Sequence, residues 1–378
     1  MQVEHIPLKH TASGTARSLC VYRFGRPGAR PKAYIQAALH ADELPGILVA
    51  HQLREQLLEI EHRGEMLGEV VLVPAANPIG LSQDILGIHH GRFSLSDGQN
   101  FNRGFADLMK DLTASLGQTL ARGDANAAAD SSDKSGQLRR LLKATAEAQG
   151  GVSEATALKK SLLTLAIDAD VVLDLHCDGE AVMHLYTLPS LAARVKPLAS
   201  LLRADVCLTA QESGEGPFDE ACSRPWAIAA AVLPDAKFAA ACLAVTIELR
   251  GEHDVFPMIA ADDAKAIVDF LKVESIVGGS APVIPLHVCH ELPFAATEPL
   301  IAPVSGVVVY ERAIGENVCA GDVVAHVIDP VSGDKTLVRA GTNGLLFARA
   351  SSRWASAGKR IGKIAGAEII RSGKLLSP

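Results

Sequence analysis

Short apolar runs at Tyr34–Leu39, Val70–Val73, Val171–Leu175 and Leu243–Leu249 alternate with stretches of helical period at Leu44–Ile60, Leu158–Ile167 and Ala261–Val273. A run of four to eight apolar residues suits a strand buried on both faces, whereas an apolar residue at every third or fourth position makes one face of a helix. The alternation predicts an α/β architecture. Between the second and third runs, residues 105–150 read as a helix from Phe105 to Leu120, then the small, polar stretch GDANAAADSSDKSGQ, expected to be a mobile loop, then a helix beginning near Leu138. Near Val277 the pattern changes, through GGSAPVIP, to β-rich sequence without clear helices. Two domains are therefore expected, residues 1–285 and residues 286–378, and 378 residues are enough to give each a core.

The second of these carries an approximate internal repeat. Ile301-Ala-Pro-Val-Ser-Gly306-Val-Val-Val is echoed by Val338-Arg-Ala-Gly-Thr-Asn-Gly344-Leu-Leu, and Gly321 in CAGDVVAHV by Gly358 in SAGKRIGKI. Two such blocks of short strands predict two half-barrels packed face to face. The pattern resembles the barrel-sandwich fold of lipoyl and biotinyl carrier domains, in which a lysine on an exposed hairpin is acylated. Lys335 stands between the two halves as such a lysine would, and it also reads as a surface lysine beside the Ser332-Gly333 turn.

Composition excludes several functions. A formal net charge of −7 without any run of basic residues argues against nucleic acid as a partner. The longest apolar stretch, Phe238–Ile247, is far short of the ~20 residues that cross a bilayer, so no membrane partner is expected. MQVEHIPLKH has neither the basic flank and apolar stretch of a signal peptide nor the bias of a transit peptide, so the mature chain is expected to start there. Seven widely spaced cysteines with no C-x-x-C pair read as reduced thiols of a cytoplasmic protein.

Four segments concentrate the reactive side chains. His40-Ala-Asp-Glu43 follows an apolar strand and enters a helical stretch, the place where open α/β sheets bind ligands. With helix-like i, i+3 spacing both side chains can reach one metal ion; taken alone, the pair also reads as a surface interaction and a helix N-terminal acid. Asp168-Ala-Asp-Val-Val-Leu-Asp174-Leu-His176 reads as a buried strand whose period of two puts Asp174 and His176 on one face. His176 is then a third ligand, or a strand-end histidine bonded to Asp174. Two histidines and a glutamate with an open position are the ligands of a catalytic zinc. Glu248 interrupts the apolar strand Ala244–Leu249, where an uncompensated carboxylate is costly; it has either a functional partner or a same-face pairing with Arg250. Around a turn, Arg92, Asn100, Asn102 and Arg103 supply groups suited to a substrate carboxylate, or simply a solvated basic loop.

In combination and in this order, these segments resemble the succinylglutamate desuccinylase/aspartoacylase family, relatives of the zinc carboxypeptidases. The resemblance covers nearly the whole chain, since LIAPVSGVVVY, GENVCAGDVVAHVIDP and VRAGTNGLL look like the C-terminal domain of a bacterial branch. It implies a carboxypeptidase-like α/β/α catalytic domain with a mixed sheet, followed by the small all-β barrel-sandwich-like domain. It also implies one Zn2+ per chain on His40, Glu43 and His176, Glu248 as the catalytic glutamate, Arg92 at the substrate carbonyl or carboxylate, and Asn102-Arg103 at the substrate carboxylate. Many relatives have Asp-Leu-Asn-Arg where this chain has Asn100-Phe101-Asn102-Arg103, so an acid that supports the site is replaced. Residues 105–150 look like an insertion relative to compact relatives.

The expected reaction is hydrolysis of a linear amide, with an N-acylated amino acid or a similar small acylated amine as substrate. Zinc would lower the pKa of a water toward ~7, and Glu248 would take a proton and return it to the departing amine. Asp174 would orient His176. A zinc carboxypeptidase acting on peptides is the alternative, because the same residues serve it. A non-catalytic or lipoyl-like carrier module is the remaining reading. Self-association into a homo-oligomer is left as an open alternative. His89, His90, His184, Tyr186 and Cys177 are lesser candidates, with packing the favoured role for Cys177.

Overall fold

A computed structural model describes residues 1–10, 12–110, 112–113, 116, 133–234, 238 and 241–376. Nine strands form one mixed sheet: β1 (Gln2–Pro7), β2 (Ser18–Phe24), β3 (Lys32–Ala37), β4 (Glu69–Val73), β5 (Val171–Asp178), β6 (His184–Thr187), β7 (Val206–Thr209), β8 (Leu243–Gly251) and β9 (His290–Pro293), in the order β1-β2-β4-β3-β5-β8-β6-β7-β9. β4, β3, β5 and β8 run parallel, and β6 enters antiparallel beside β8. The four apolar runs of the sequence are these central strands, buried on both faces as parallel strands must be.

Helices cover both faces. On one side α1 (Pro45–His62), α4 (Ala192–Leu202) and α6 (Pro257–Val273) pack Leu53, Leu57, Leu198, Ile267 and Leu271 against Ile35, Leu173 and Val245. On the other, α2 (Lys134–Ala148), α3 (Glu154–Ala166) and α5 (Phe218–Val232) pack Leu142, Leu158, Leu162 and Trp226 against Tyr34, Val172 and Ala244. The result is the α/β/α layering expected from the alternation. Among the described residues no helix is long and apolar enough to cross a membrane.

Three expectations differ locally. Residues 105–110, expected to open a helix, are irregular and turned; the Asp107 carboxylate accepts from the Met109 N–H (3.0 Å), a local bond that competes with helix. Most of the remaining expected helix to Leu120, and the expected mobile loop up to residue 132, lie outside the described residues. The helix expected near Leu138 starts earlier, at Lys134, because the Asp133 side chain caps it by accepting from Gly136 N–H at 2.8 Å. The large sheet also takes in β9, beyond residue 285, through parallel pairing with β7.

After β9 come two small sheets that face each other. One holds β10 (Thr297–Ile301), β12 (Asn317–Val318), β15 (Gly344–Arg349) and β17 (Arg360–Gly366); the other holds β11 (Gly306–Tyr310), β13 (Val323–Ile328), β14 (Lys335–Arg339) and β16 (Trp354–Ala355). The repeated blocks fall one in each sheet, β11 against β15, and Val308, Val324, Leu346 and Ile364 fill the space between. Lys335 is not on a hairpin turn: it opens β14 and pairs with Ile328. The small sheets dock on the exit of β5, where residues 180–181 add to β15 and Glu180 pairs with Arg349 and Arg353. Lys363 pairs with Asp178 at the same junction.

Candidate active site

Residues in register on neighbouring strands project to the same face of a sheet. Tyr34, Val172 and Ala244 form an apolar row. Two residues further along, toward the carboxyl ends, the same face turns polar: Gln36, Asp174, Thr246 and Tyr186 make one row, and His176, Glu248 and His184 the next. Buried polar groups need partners, and here they form a chain: Tyr34 Oη donates to Gln36 Oε1 (2.8 Å), and Gln36 Nε2 to Asp174 Oδ1 (2.9 Å). Asp174 Oδ2 accepts from His176 Nε2 at 3.0 Å. Glu248 and His176 therefore leave adjacent strands side by side, which is why the strand pattern breaks at Glu248. Its Arg250 alternative is not realised, because Arg250 turns away to Asp263.

His40 and Glu43 come from the turn after β3, in which Glu43 N–H donates to His40 O (3.2 Å) before Pro45 starts α1. Asn100 Oδ1 accepts from the backbone N–H of Asn102 (2.8 Å) and lies 2.8 Å from His40 Nε2. His40 Nδ1 and His176 Nδ1 face Glu43 Oε1 (2.8 Å) and Oε2 (2.7 Å); with acceptors holding the Nε2 hydrogens, the Nδ1 atoms are the ones that would coordinate an ion. The three residues are at most 8% exposed, and their donor atoms lie within 4.8 Å of one another. Two imidazole nitrogens and one carboxylate oxygen, each ring oriented from behind by a side-chain acceptor, are a donor set that fits a catalytic zinc-type ion. Asn100 thus fills the place of the missing acid.

Arg92 reaches this cluster by a close approach that only glycine permits. The loop before it lies on the His40–Glu43 turn, with Ala41 N–H donating to Gly91 O, and a Cβ at Gly91 would stand 2.0 Å from Asp42 N. Arg92 Nη1 is 3.1 Å from His40 Nδ1 and 3.2 Å from Glu43 Oε1. Asn102 lies between the cluster and α5: its Nδ2 is 3.3 Å from His176 Nε2 and its Oδ1 accepts from Phe218 N–H at 2.9 Å. Arg103 donates to Asn102 O (2.7 Å) and has Glu215 at 3.7 Å.

One cavity of about 540 Å³ is lined by His40, Glu43, Arg92, Asn102, Arg103, His176 and Glu248, together with Tyr186, Asp219 and Glu220. All the residues singled out for metal, substrate and proton transfer therefore share it. His89 does not line it; its Nε2 lies 3.1 Å from Gly80 O. Cys177 does, but burial and the surrounding carboxylates push its thiol far up, and its N–H donates to Glu43 Oε2.

Charges within the cavity are strongly perturbed. Burial and then Arg92 push His40 down to about 4, so its ring is neutral. Burial opposes ionisation of Glu43, but the two facing imidazoles outweigh it and hold the carboxyl well below its usual range. Burial also opposes charge on His176, yet Asp174 and Glu43, one at each ring nitrogen, raise it well above the usual histidine value. Glu43 and His176 are thus held as a charged pair beside a neutral His40. Glu248 shows the opposite tendency: burial, then repulsion from Glu43 and Asp178, push it up to about 8, and among the described residues its Oε2 has no hydrogen-bond partner.

Several wall residues had no local signal in the sequence. Phe294, Thr297, Arg360, Lys363 and Arg371 reach the cavity from β9 onward, so the small sheets and the tail after them close one side of it. Tyr186, a lesser candidate in the sequence, does line the cavity, whereas Asp219 and Glu220, acids in the first turn of α5, were not singled out.

Comparison with known proteins bears on the family and the fold. Residues 29–273 match the Succinylglutamate desuccinylase/Aspartoacylase catalytic domain family. No protein of curated function matches the sequence. A solved structure described as a succinylglutamate desuccinylase/aspartoacylase family protein, from Shewanella amazonensis, is 24% identical over 97% of this chain and 98% of its own, with a TM-score of 0.82. Another, described as a succinylglutamate desuccinylase/aspartoacylase from Shewanella frigidimarina, is 23% identical over 97% of both chains, with a TM-score of 0.84. The ectoine utilization protein EutE (DoeB) from Ruegeria pomeroyi, solved with product bound, is 19% identical over 96% of this chain and 95% of its own, with a TM-score of 0.66. At these identities the likeness speaks for the fold.

Proposed function

The chain belongs to the succinylglutamate desuccinylase/aspartoacylase family, a family of hydrolases, and from that premise we propose that it is a zinc-dependent deacylase of N-acylated amino acids or similar small acylated amines. The observation that carries this reading is the convergence of His40 Nδ1, His176 Nδ1 and the Glu43 carboxylate beside the unpartnered carboxyl of Glu248. His40, Glu43 and His176 would hold the ion, with Asn100 and Asp174 fixing the rings. When bound, zinc lowers the pKa of water toward ~7 and polarises an amide carbonyl.

The remaining work falls to the chain's own groups. Glu248 accepts the proton of the attacking water and returns it to the departing amine, a role helped by a pKa close to the working pH. Arg92 donates toward the carbonyl oxygen as negative charge develops there. Arg103 takes the substrate carboxylate, and Asn102 keeps that wall in place between His176 and α5. In this reading residues 1–285 carry the chemistry and residues 286–378 close the cavity. A walled cavity of about 540 Å³ suits a small acylated amine better than a peptide, which favours deacylation over carboxypeptidase activity.

The test is release of primary amine from a panel of N-acetyl and N-succinyl amino acids and short peptides. Release from acyl amino acids is expected; release from peptides alone would make the protein a carboxypeptidase, and no release from any member would count against hydrolysis of such amides.

A further inference from the structure

Tyr34 and Gln36 take no part in the chemistry above, and neither lines the cavity. Both are 0% exposed, as is Asp174. β3 presents Tyr34 and Gln36 two residues apart on one face, and its register sets Gln36 beside Asp174 of β5. Burying a phenol hydroxyl, an amide and a carboxylate between sheet and helices is costly unless each is bonded. A phenylalanine at 34 and an aliphatic residue at 36 would continue the apolar surface of Val172 and Ala244 without that cost.

The bonds among these groups run in one direction. An ionised carboxylate only accepts, so both neighbours of Asp174 must donate: His176 Nε2 to Oδ2 at 3.0 Å and Gln36 Nε2 to Oδ1 at 2.9 Å. That turns Gln36 Oε1 back along β3, where Tyr34 Oη donates to it at 2.8 Å. Among the described residues these are the only side-chain hydrogen bonds of Gln36. The Tyr34 ring is itself packed on Phe218, with centroids 5.8 Å apart, and Phe218 on Phe105 at 5.1 Å. The chain thus begins in the core and ends at a metal donor, since a hydrogen held on Nε2 keeps the Nδ1 lone pair of His176 for an ion.

We propose that Gln36 and Tyr34 are positioning residues for the metal: Gln36 fixes the Asp174 carboxylate against His176, and Tyr34 acts through Gln36 by fixing the orientation of its amide. Without the amide, Asp174 Oδ1 loses its donor, the carboxylate is no longer held in rotation, and the His176 ring loses a fixed acceptor. Without the phenol hydroxyl, the amide oxygen is left unbonded in the core and the amide shifts off Asp174. Affinity for the ion is then set in part from inside the sheet, three hydrogen bonds behind the ligand ring. This rests on the metal reading above and deepens it, and it accounts for a buried polar row that packing alone would not select.

A double-mutant cycle read as zinc affinity tests it, by competition with a chromophoric chelator on the full chain, stripped of metal and titrated with zinc. Gln36→Met keeps the length, removes the donor, and should weaken affinity by about tenfold. Tyr34→Phe should weaken it by about threefold in the wild-type background and by less than about 1.5-fold in Gln36→Met, because its effect passes through the amide. Val172→Ala, in the buried apolar row of the same face, is the control. It should lower the urea midpoint of the stripped protein yet leave zinc affinity within about 1.5-fold, so that lost stability alone does not move the readout. If Gln36→Met does not fold, Tyr34→Phe against Val172→Ala decides. Zinc bound with one affinity by the wild type and both single variants would overturn the proposal and leave the metal reading standing. A Tyr34→Phe effect of equal size in both backgrounds would overturn the relay through Gln36. A wild type that binds no zinc would overturn the metal reading and the proposal with it.

Discussion

Replacing Glu248 by glutamine separates proton transfer from metal binding and fold, because the two side chains have the same shape and only one titrates. Burial and the neighbouring Glu43 and Asp178 carboxylates push Glu248 from the ordinary 4.5 to about 8. Since the folded value lies above the unfolded one, the protonated carboxyl is stabilised in the fold. That contribution is complete below pH 4.5, shrinks as pH rises, and is gone above pH 8. A displacement of this size corresponds to an upper bound of about 5 kcal/mol, and about 3 kcal/mol of it disappears between pH 6 and pH 9. Urea unfolding of the chelated protein at those two pH values should therefore show a fall in stability for the wild type that is smaller by up to about 3 kcal/mol in Glu248→Gln. In metal-loaded protein the difference should shrink, since a cation beside Glu248 favours its ionised form. The same variant should keep its metal and lose turnover by at least about 10²-fold. Parallel pH dependence of wild type and variant would refute the electrostatic argument, and a wild-type rate in Glu248→Gln would refute the proton-transfer role.

Other outcomes follow from the same geometry. His176→Ala removes a ring held by Asp174 and facing Glu43, and should abolish both bound metal and activity, measured by elemental analysis and amine release. Asn100→Ala leaves His40 Nε2 without its acceptor and should weaken metal affinity by about 10–100-fold in a chelator competition, whereas Asn100→Asp should retain it. Because Asp174 and Glu43 hold a proton on His176 well above the usual histidine range, metal must displace that proton, and affinity measured by competition should fall as pH is lowered. Arg103→Ala should raise KM for carboxylate-bearing substrates by at least about tenfold with a smaller change in kcat.

The layering was legible because it depends on local pattern. Apolar runs at Tyr34–Leu39 and Val171–Leu175 could only be doubly covered strands, and the polar break at Asp174, His176 and Glu248 marked the carboxyl ends where a cavity could open. His40 and Glu43 stood out because their short spacing survives in the turn that joins β3 to α1. What long-range packing decides was not legible. The Asn100 amide behind His40 comes from a segment 60 residues away, and Arg360 and Arg371 reach the cavity only because the small sheets dock through Glu180 and Asp178. The strand HELP of β9 is short and polar, so nothing in its pattern revealed that it extends the large sheet. The start of the expected helix at Phe105 failed for a local reason, the Asp107 side chain competing for the backbone.

The central claim is that His40, Glu43 and His176 hold one zinc ion on which amide hydrolysis depends. Its most direct test is to count bound metal and measure acyl amino acid hydrolysis on the same preparation, before chelation, after it, and after return of zinc. The account predicts one ion per chain, loss of activity on chelation, and recovery in proportion to the zinc restored. Full hydrolysis by protein shown to hold no metal would contradict it.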